Sequence, residues 1–261
     1  MTASEQDYFL FVQHVKKKYG INLSFYKEAQ MKRRLTSLRE KRGFSTFQEF
    51  IKAVDKNQEL YNEFLDRMTI NVSEFFRNGS RWDVLKDKII PLLSAKRLKC
   101  WSSACSTGEE PYTLAMIFRY YYPDLQPDIL ATDIDEGAIK KAREGIYPER
   151  SLKEVPVNIK KKFFREDNGL FYLNQEIKTS VKYKKIDLLT DLFDHDYDLI
   201  ICRNVMIYFT EEAKHLLYQK FSKALKPGGI LFVGSTEQIF NPAQYQLETV
   251  DNFFYRKKFD K

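Results

Sequence analysis

The chain has 261 residues, 43% hydrophobic and 15% aromatic, which suffices for one large α/β domain beside a small helical one and excludes wholesale disorder. Its formal charge is +7, and basic residues crowd 16–42, where Lys16, Lys17, Lys18, Lys27, Lys32, Arg33, Arg34, Arg39, Lys41 and Arg42 face only Glu28 and Glu40. That imbalance fits an acidic partner or a solvated helix face. No apolar run approaches the roughly 18–20 residues of a membrane span.

The start, MTASEQDYFLF, lacks a basic region followed by an apolar core, so a cytoplasmic protein without membrane insertion is expected. The three cysteines, Cys100, Cys105 and Cys202, have no metal-like spacing and read as reduced thiols. No metal is expected.

Apolar periodicity predicts helices over 5–19, 25–42, 46–54 and 57–69, with turns at Gly20-Ile21-Asn22 and Gly43-Phe44-Ser45. Ser45 and Gln48 have the spacing of a capping box. At about 100° per residue, Met31, Leu35 and Leu38 share one packing face, with Lys32 and Arg39 on one flank and Arg34 and Lys41 on the other. No strand is expected before about residue 85. Beyond residue 95, strands are predicted at 97–103, 128–134, 181–187, 197–203 and 229–235, with helices at 110–121, 135–144 and 211–225. This alternation predicts a doubly wound, mostly parallel sheet with its chemistry at the carboxyl ends of the strands. Residues 244–258 read as an antiparallel hairpin on the sheet edge. Residues 150–180 read as an insertion with a small β element around Asn168-Gly169.

Three segments can carry chemistry. In Ala104-Cys105-Ser106-Thr107-Gly108-Glu109-Glu110-Pro111-Tyr112 a strand ends, small residues turn, and a helix starts with Pro111 in its first turn. A helix N-terminus favours an anion, but one glycine is no dinucleotide fingerprint, and Glu109 with Glu110 would repel a pyrophosphate. A ligand with an ammonium or sulfonium centre suits those acids better. The second strand ends in Asp133, the place where α/β nucleotide folds bind ribose hydroxyls, while Asp135 suits a helix N-cap. The third segment runs from buried Asp198-Leu199-Ile200-Ile201-Cys202 into polar Arg203-Asn204. It lacks the Asn/Asp-Pro-Pro-aromatic run common in amide- and base-methylating enzymes.

The runs Thr69-Ile70-Asn71-Val72-Ser73-Glu74-Phe75-Phe76-Arg77, Ser106 to Tyr112 and Cys202 to Phe209 resemble, in order, the CheR-type chemotaxis methyltransferases. The resemblance covers essentially the whole chain. It implies an all-α N-terminal domain (1–80) joined to a class I S-adenosylmethionine-dependent methyltransferase domain (81–261), with a β-subdomain inserted at about 150–182. It also implies methyl transfer from S-adenosylmethionine to glutamate γ-carboxylates on the cytoplasmic helical bundle of chemoreceptors, with S-adenosylhomocysteine as product. Cofactor contacts carried over by motif are Asn71, Ser73, Arg77, Glu109, Asp133, Asp187, Leu188, Asn204 and Val205. Ser73 stands where some members have Thr. Asp187-Leu188, expected to end the third strand, stands where some relatives have Asn-Leu, so an amide donor is lost.

A glutamate with a reference pKa of about 4.3 is already a nucleophile at neutral pH, so no general base is required. His14, His195 and His215 lie outside the motifs. Arg203, Tyr208 and Arg77 are the candidates to orient the accepting carboxylate; Arg77 can equally bind the cofactor, and Arg203 and Tyr208 can equally brace the sheet end. Lys32, Arg34, Arg39 and Lys41 are expected to meet the receptor. The insertion holds a single glycine, Gly169, which favours recognition without a receptor tether peptide. A monomer that binds no nucleic acid is expected. The rival readings are a nucleic-acid methyltransferase, for which no binding module is visible, and a non-enzymatic sensor of the cofactor.

Overall fold

Four helices, α1 (Ala3–Tyr19), α2 (Glu28–Lys41), α3 (Phe47–Val54) and α4 (Gln58–Thr69), form where the periodicity places them in this computed structural model, which describes residues 2–71, 73–93 and 95–259. α1 starts on a capping box between Thr2 and Glu5 and stops at Gly20, whose φ of 75° is the left-handed conformation a helix end favours. The box expected at Ser45 and Gln48 lies one residue on. Thr46 Oγ1 accepts from Glu49 N at 3.1 Å, and the Glu49 carboxylate accepts from Ser45 N at 3.0 Å and Thr46 N at 3.3 Å. The cause is Asp7 of α1, whose carboxylate already takes the N–H groups of Phe47 (2.7 Å) and Gln48 (3.1 Å).

The chain divides into two units: Met1–Asn71 with Asp187–Leu192 and Met206–Leu217, and Val72–Ile186 with Phe193–Val205 and Tyr218–Lys261. The first is cored by Phe11, Leu35, Phe50 and Phe64, and Met31, Leu35 and Leu38 turn inward as their spacing predicts. The segment from Met206 belongs to it through backbone bonds. Lys27 N donates to Tyr208 O at 2.9 Å and Thr210 N to Phe25 O at 2.8 Å, while Tyr26 packs edge-on against Phe209.

The second unit holds α5 (Gly79–Val84), continued by a π turn at Leu85–Ile89 that periodicity does not reveal. There follow β1 (Arg97–Ser102), α6 (Glu109–Tyr121), β2 (Gln126–Asp133), α7 (Glu136–Glu144), β3 (Ile146–Pro148), α8 (Val157–Phe163), β4 (Phe164–Asp167), β5 (Leu170–Leu173), α9 (Gln175–Thr179), β6 (Val181–Lys185), β7 (Tyr197–Cys202), α10 (Glu211–Ala224, whose residues up to Leu217 belong to the first unit), β8 (Leu225–Val233), β9 (Leu247–Asp251) and β10 (Phe254–Lys257). Phe75, Phe76 and Trp82 lie in this unit's core, and Phe76 N donates to Thr113 Oγ1 at 3.1 Å. The units therefore divide at Asn71, earlier than the expected boundary at 80.

The main sheet runs β6-β2-β1-β7-β8-β10-β9, parallel from β6 to β8 and antiparallel through β10 and β9. From β1 the chain builds outward through β2 to β6, then crosses to β7 on the other side of β1. That reversal opens a crevice at the carboxyl ends of β1 and β7, where doubly wound sheets bind ligands. β7 is buried along its whole length, as a central parallel strand should be. Every residue of α6 from Glu109 to Phe118 is buried, because the helix packs on β1, β2 and β6 and also on α8 and α9.

The insertion forms a second sheet, β3-β5-β4, whose β4–β5 turn is Asn168-Gly169 with φ of 51° and 74°, as a tight hairpin requires. Its first strand begins at Ile146, ahead of the expected 150. The strand expected over 181–187 ends at Lys185. Ile186 N still bonds Asp133 O at 3.0 Å, but Asp187 then enters a turn, its Oδ1 accepting from Leu189 N at 2.9 Å. Among the described residues no helix is long and apolar enough to cross a membrane, and all three cysteines are free and buried.

Candidate active site

Where β1 runs out, its backbone is tied to both neighbours. Ser103 N donates to Ile201 O at 2.9 Å, and Cys105 N to Thr132 O at 2.8 Å. The turn that follows bends through left-handed positions at Ser106 (φ 48°) and Gly108 (φ 95°). At Gly108 both backbone and space demand glycine. A Cβ there would stand 2.8 Å from Ala142 Cβ and 3.0 Å from Tyr183 Oη. Tyr147 Oη closes the turn from the inserted sheet by donating to Thr107 O at 2.8 Å.

The two acids after the glycine have separate partners. Glu109, 3% exposed, accepts from Thr107 Oγ1 at 2.7 Å and from the Ser73 hydroxyl; burial pushes its pKa up against those bonds. Glu110 points to the other side, accepts from Ser102 Oγ at 2.8 Å and lies 4.0 Å from Arg203 Nη1. Burial raises it to about 7, and Arg203 and Ser102 only partly oppose the shift. Asp133 is 8% exposed and accepts from Ser106 N at 2.8 Å and Asp135 N at 3.0 Å. It thereby braces the Ser106 turn, and burial raises it to about 6 against those bonds. Asp135 is the N-cap of α7, accepting from Gly137 N and Ala138 N.

Arg203, just past β7, is 6% exposed. Its Nη2 donates to Arg77 O at 2.9 Å and Asn78 Oδ1 at 3.1 Å, and its guanidinium lies over the rings of Phe232 (4.8 Å) and Trp82 (5.4 Å). Its Nε–H is buried with no hydrogen-bond partner. Asn204 follows in the left-handed region, φ 59°, with its N–H donated to Glu237 Oε2 at 2.7 Å, and Val205 is half-buried.

The second unit thus gathers Ser73, Arg77, Glu109, Asp133, Arg203, Asn204 and Val205 from the expected set. Asn71, Asp187, Leu188 and Tyr208 belong to the first unit, as do Lys32, Arg34, Arg39 and Lys41. There Asn71 Nδ2 donates to Asp66 Oδ1 at 3.2 Å, Leu188 is buried, and burial raises the Asp187 carboxyl. Arg34 stacks on Tyr208, its guanidinium carbon 4.7 Å from the ring centroid. Arg39 lies 4.8 Å over Phe47 with its side chain only 15% exposed, Lys32 lies over Tyr8, and Lys41 pairs with Glu63 at 3.7 Å.

Glu237, Asn78 and the two rings flanking Arg203 escape sequence reasoning, since they come from the start of α5, from α5 itself, from β8 and from the loop beyond it. The only available signal for Glu237 is an acid shortly after the Gly234 that closes a strand.

S-adenosylmethionine carries a carboxylate, an ammonium, a sulfonium and a ribose diol. Three buried carboxylates with raised pKa values form a set that such a cationic, hydroxyl-bearing ligand satisfies. A sheet whose switch point carries this acid-flanked turn, without a pyrophosphate fingerprint, is that of an S-adenosylmethionine-dependent methyltransferase. Residues 71–254 match the family described as CheR methyltransferase, SAM binding domain, and residues 6–69 match its all-alpha domain. The chain belongs to the CheR methyltransferase family. It is 45% identical to a chemotaxis protein methyltransferase of Listeria innocua, over 97% of this chain and 98% of the relative. It is 37% identical to one from Borreliella burgdorferi, covering 85% of this chain and 84% of the relative. It is also 30% identical to chemotaxis protein methyltransferase 1 of Pseudomonas aeruginosa, over 99% and 100% of the two chains.

Proposed function

We propose that the protein methylates glutamate γ-carboxylates on the cytoplasmic helical bundle of chemoreceptors, leaving glutamate methyl esters and S-adenosylhomocysteine. The observation that carries this reading is Arg203, a buried guanidinium whose Nε–H has no partner, among carboxylates at the strand ends. The names of its relatives, chemotaxis protein methyltransferases, support the pathway.

When bound, S-adenosylmethionine supplies an electrophilic methyl group on a sulfonium sulfur. Glu109, Asp133, Asn204 and Val205 are the groups that hold it in the second unit, with Ser73 fixing Glu109 and with Arg77 in attendance. Asn71, Asp187 and Leu188 of the first unit are proposed cofactor contacts on their motif positions. A carboxylate acceptor is ionised at neutral pH and needs no base. The remaining task is to strip its water and aim one oxygen. Arg203 provides a desolvated donor for that oxygen, and Tyr208 is the second proposed orienting group.

The protein acts as a cytoplasmic monomer in this reading, without metal or nucleic acid. The basic residues of α2 recognise the receptor, and no tether peptide is needed, because the β4–β5 hairpin turns on two residues without a long loop. Incubation with methyl-labelled cofactor and receptor-containing membranes, followed by alkali, tests the proposal. Volatile methanol released by base supports carboxyl methylation. Label stable to base in nucleic acid, or no transfer, rejects it. Calorimetry with a receptor C-terminal peptide tests tether independence, and micromolar binding overturns it.

A further inference from the structure

Asn204 adopts φ of 59°, a left-handed conformation that asparagine tolerates better than most residues but that still needs a partner to hold it. The holding group arrives from the connection after β8. Glu237 is 4% exposed, and its Oε2 accepts from Asn204 N at 2.7 Å and from Gly234 N at 2.9 Å. One carboxylate oxygen therefore clamps the ends of β7 and β8 together through two charge-assisted bonds. Gly234 makes room for it. A Cβ there would run into the Glu237 carboxylate and stand 3.0 Å from Asn204 N.

We infer that Glu237 is a positioning residue: its carboxylate locks the left-handed turn at Asn204 and so sets the Arg203–Val205 loop for cofactor binding. The inference rests on the reading of that loop as part of the cofactor site. Glutamine keeps an oxygen in the same place and preserves both bonds in weaker form. Aspartate is one methylene too short to reach both donors, and alanine leaves two N–H groups unpaired.

The test compares wild type with Glu237→Ala, Glu237→Gln and Glu237→Asp. The readouts are the amide proton shifts of Asn204 and Gly234, the affinity for S-adenosylhomocysteine by calorimetry, and Tm. Alanine and aspartate should move both amide resonances upfield and weaken binding by about tenfold or more, while glutamine stays within about threefold of wild type. Unchanged amide shifts and affinity in Glu237→Ala overturn the inference. So does an equal loss in the glutamine variant that tracks a fall in Tm, which marks a residue supporting the fold alone. Should the alanine variant not fold, the aspartate variant decides, and wild-type affinity there overturns the inference. Binding is read without receptor, so a protein that binds the product yet methylates no receptor refutes the proposed substrate and leaves the role of Glu237 standing.

Discussion

Arg203 Nη1 and Glu110 Oε2 stand 4.0 Å apart with side chains only 3% and 11% exposed, a buried ion pair at the end of β7 and the start of α6. Removing one member of such a pair leaves an uncompensated buried charge, which costs roughly 3 kcal/mol or more. Glu110→Ala is therefore expected to lower Tm by about 6–12 °C at pH 8, measured by calorimetry. A Tm within a degree or two of wild type would mean that Arg77 O and Asn78 satisfy Arg203 alone.

The same carboxyl gives a pH signature. Burial holds Glu110 at about 7 in the folded protein, above the ordinary glutamate value of 4.5. The native state therefore binds more protons than the unfolded chain between those values, and the stability associated with Glu110 falls as pH rises from about 4.5 to about 7. Asp133, raised from 3.8 to about 6, acts in the same direction over a lower window. Glu110→Gln cannot titrate, so the Tm of wild type minus that of the variant should decrease from pH 5 to pH 8. A constant difference would place the Glu110 carboxyl near its ordinary value.

Cofactor and product differ in the sulfonium methyl and its positive charge. Carboxyls that ionise between about pH 6 and 7 should favour the cation increasingly as they lose protons. The affinity ratio of S-adenosylmethionine to S-adenosylhomocysteine should accordingly rise between pH 5.5 and 7.5 in competition binding. A flat ratio would show that the charge is not felt by these acids.

Gly108 and Gly169 both have positive φ, but only the first is enclosed. Gly169→Ala meets nothing within 4 Å and should cost about 1 kcal/mol from backbone strain alone. Gly108→Ala must in addition displace Ala142 or Tyr183, so its denaturation midpoint should fall by at least twice as much. Equal midpoints would show that the turn relaxes freely.

Tyr208 and Arg34 stack in the first unit, which changes how the basic helix should be tested. Tyr208→Phe keeps the ring under Arg34 and removes only the hydroxyl, so an orienting role predicts a loss in turnover of roughly 10²-fold with cofactor affinity unchanged. Full turnover would end that role.

Arg34 and Arg39 are packed on aromatic rings, whereas Lys41 is 74% exposed and is the cleaner probe of receptor docking. Lys41→Glu should slow receptor methylation most at low salt, with S-adenosylhomocysteine affinity intact. Equal rates at low and high salt would remove Lys41 from the docking face.

The sequence by itself determined the main helices and the main sheet strands, though not α5, α8 or α9, because a core-facing stripe must recur at helical or strand spacing whatever surrounds it. Met31, Leu35 and Leu38 turned inward as spaced, β7 was legible as a buried run, and Asn168-Gly169 marked a small β element. Local competition was not legible. Asp7 took the N–H groups of Phe47 and Gln48 and moved the expected cap to Thr46, and Asp187 fell beyond its strand. Only the tertiary structure decided how the charges pair. It gave Glu109 to Thr107 and Ser73, set Glu110 opposite Arg203, and brought Glu237 to the backbone of Asn204. Those contacts join residues far apart in the chain whose positions are set by sheet order and helix packing, and pKa values follow burial and neighbours.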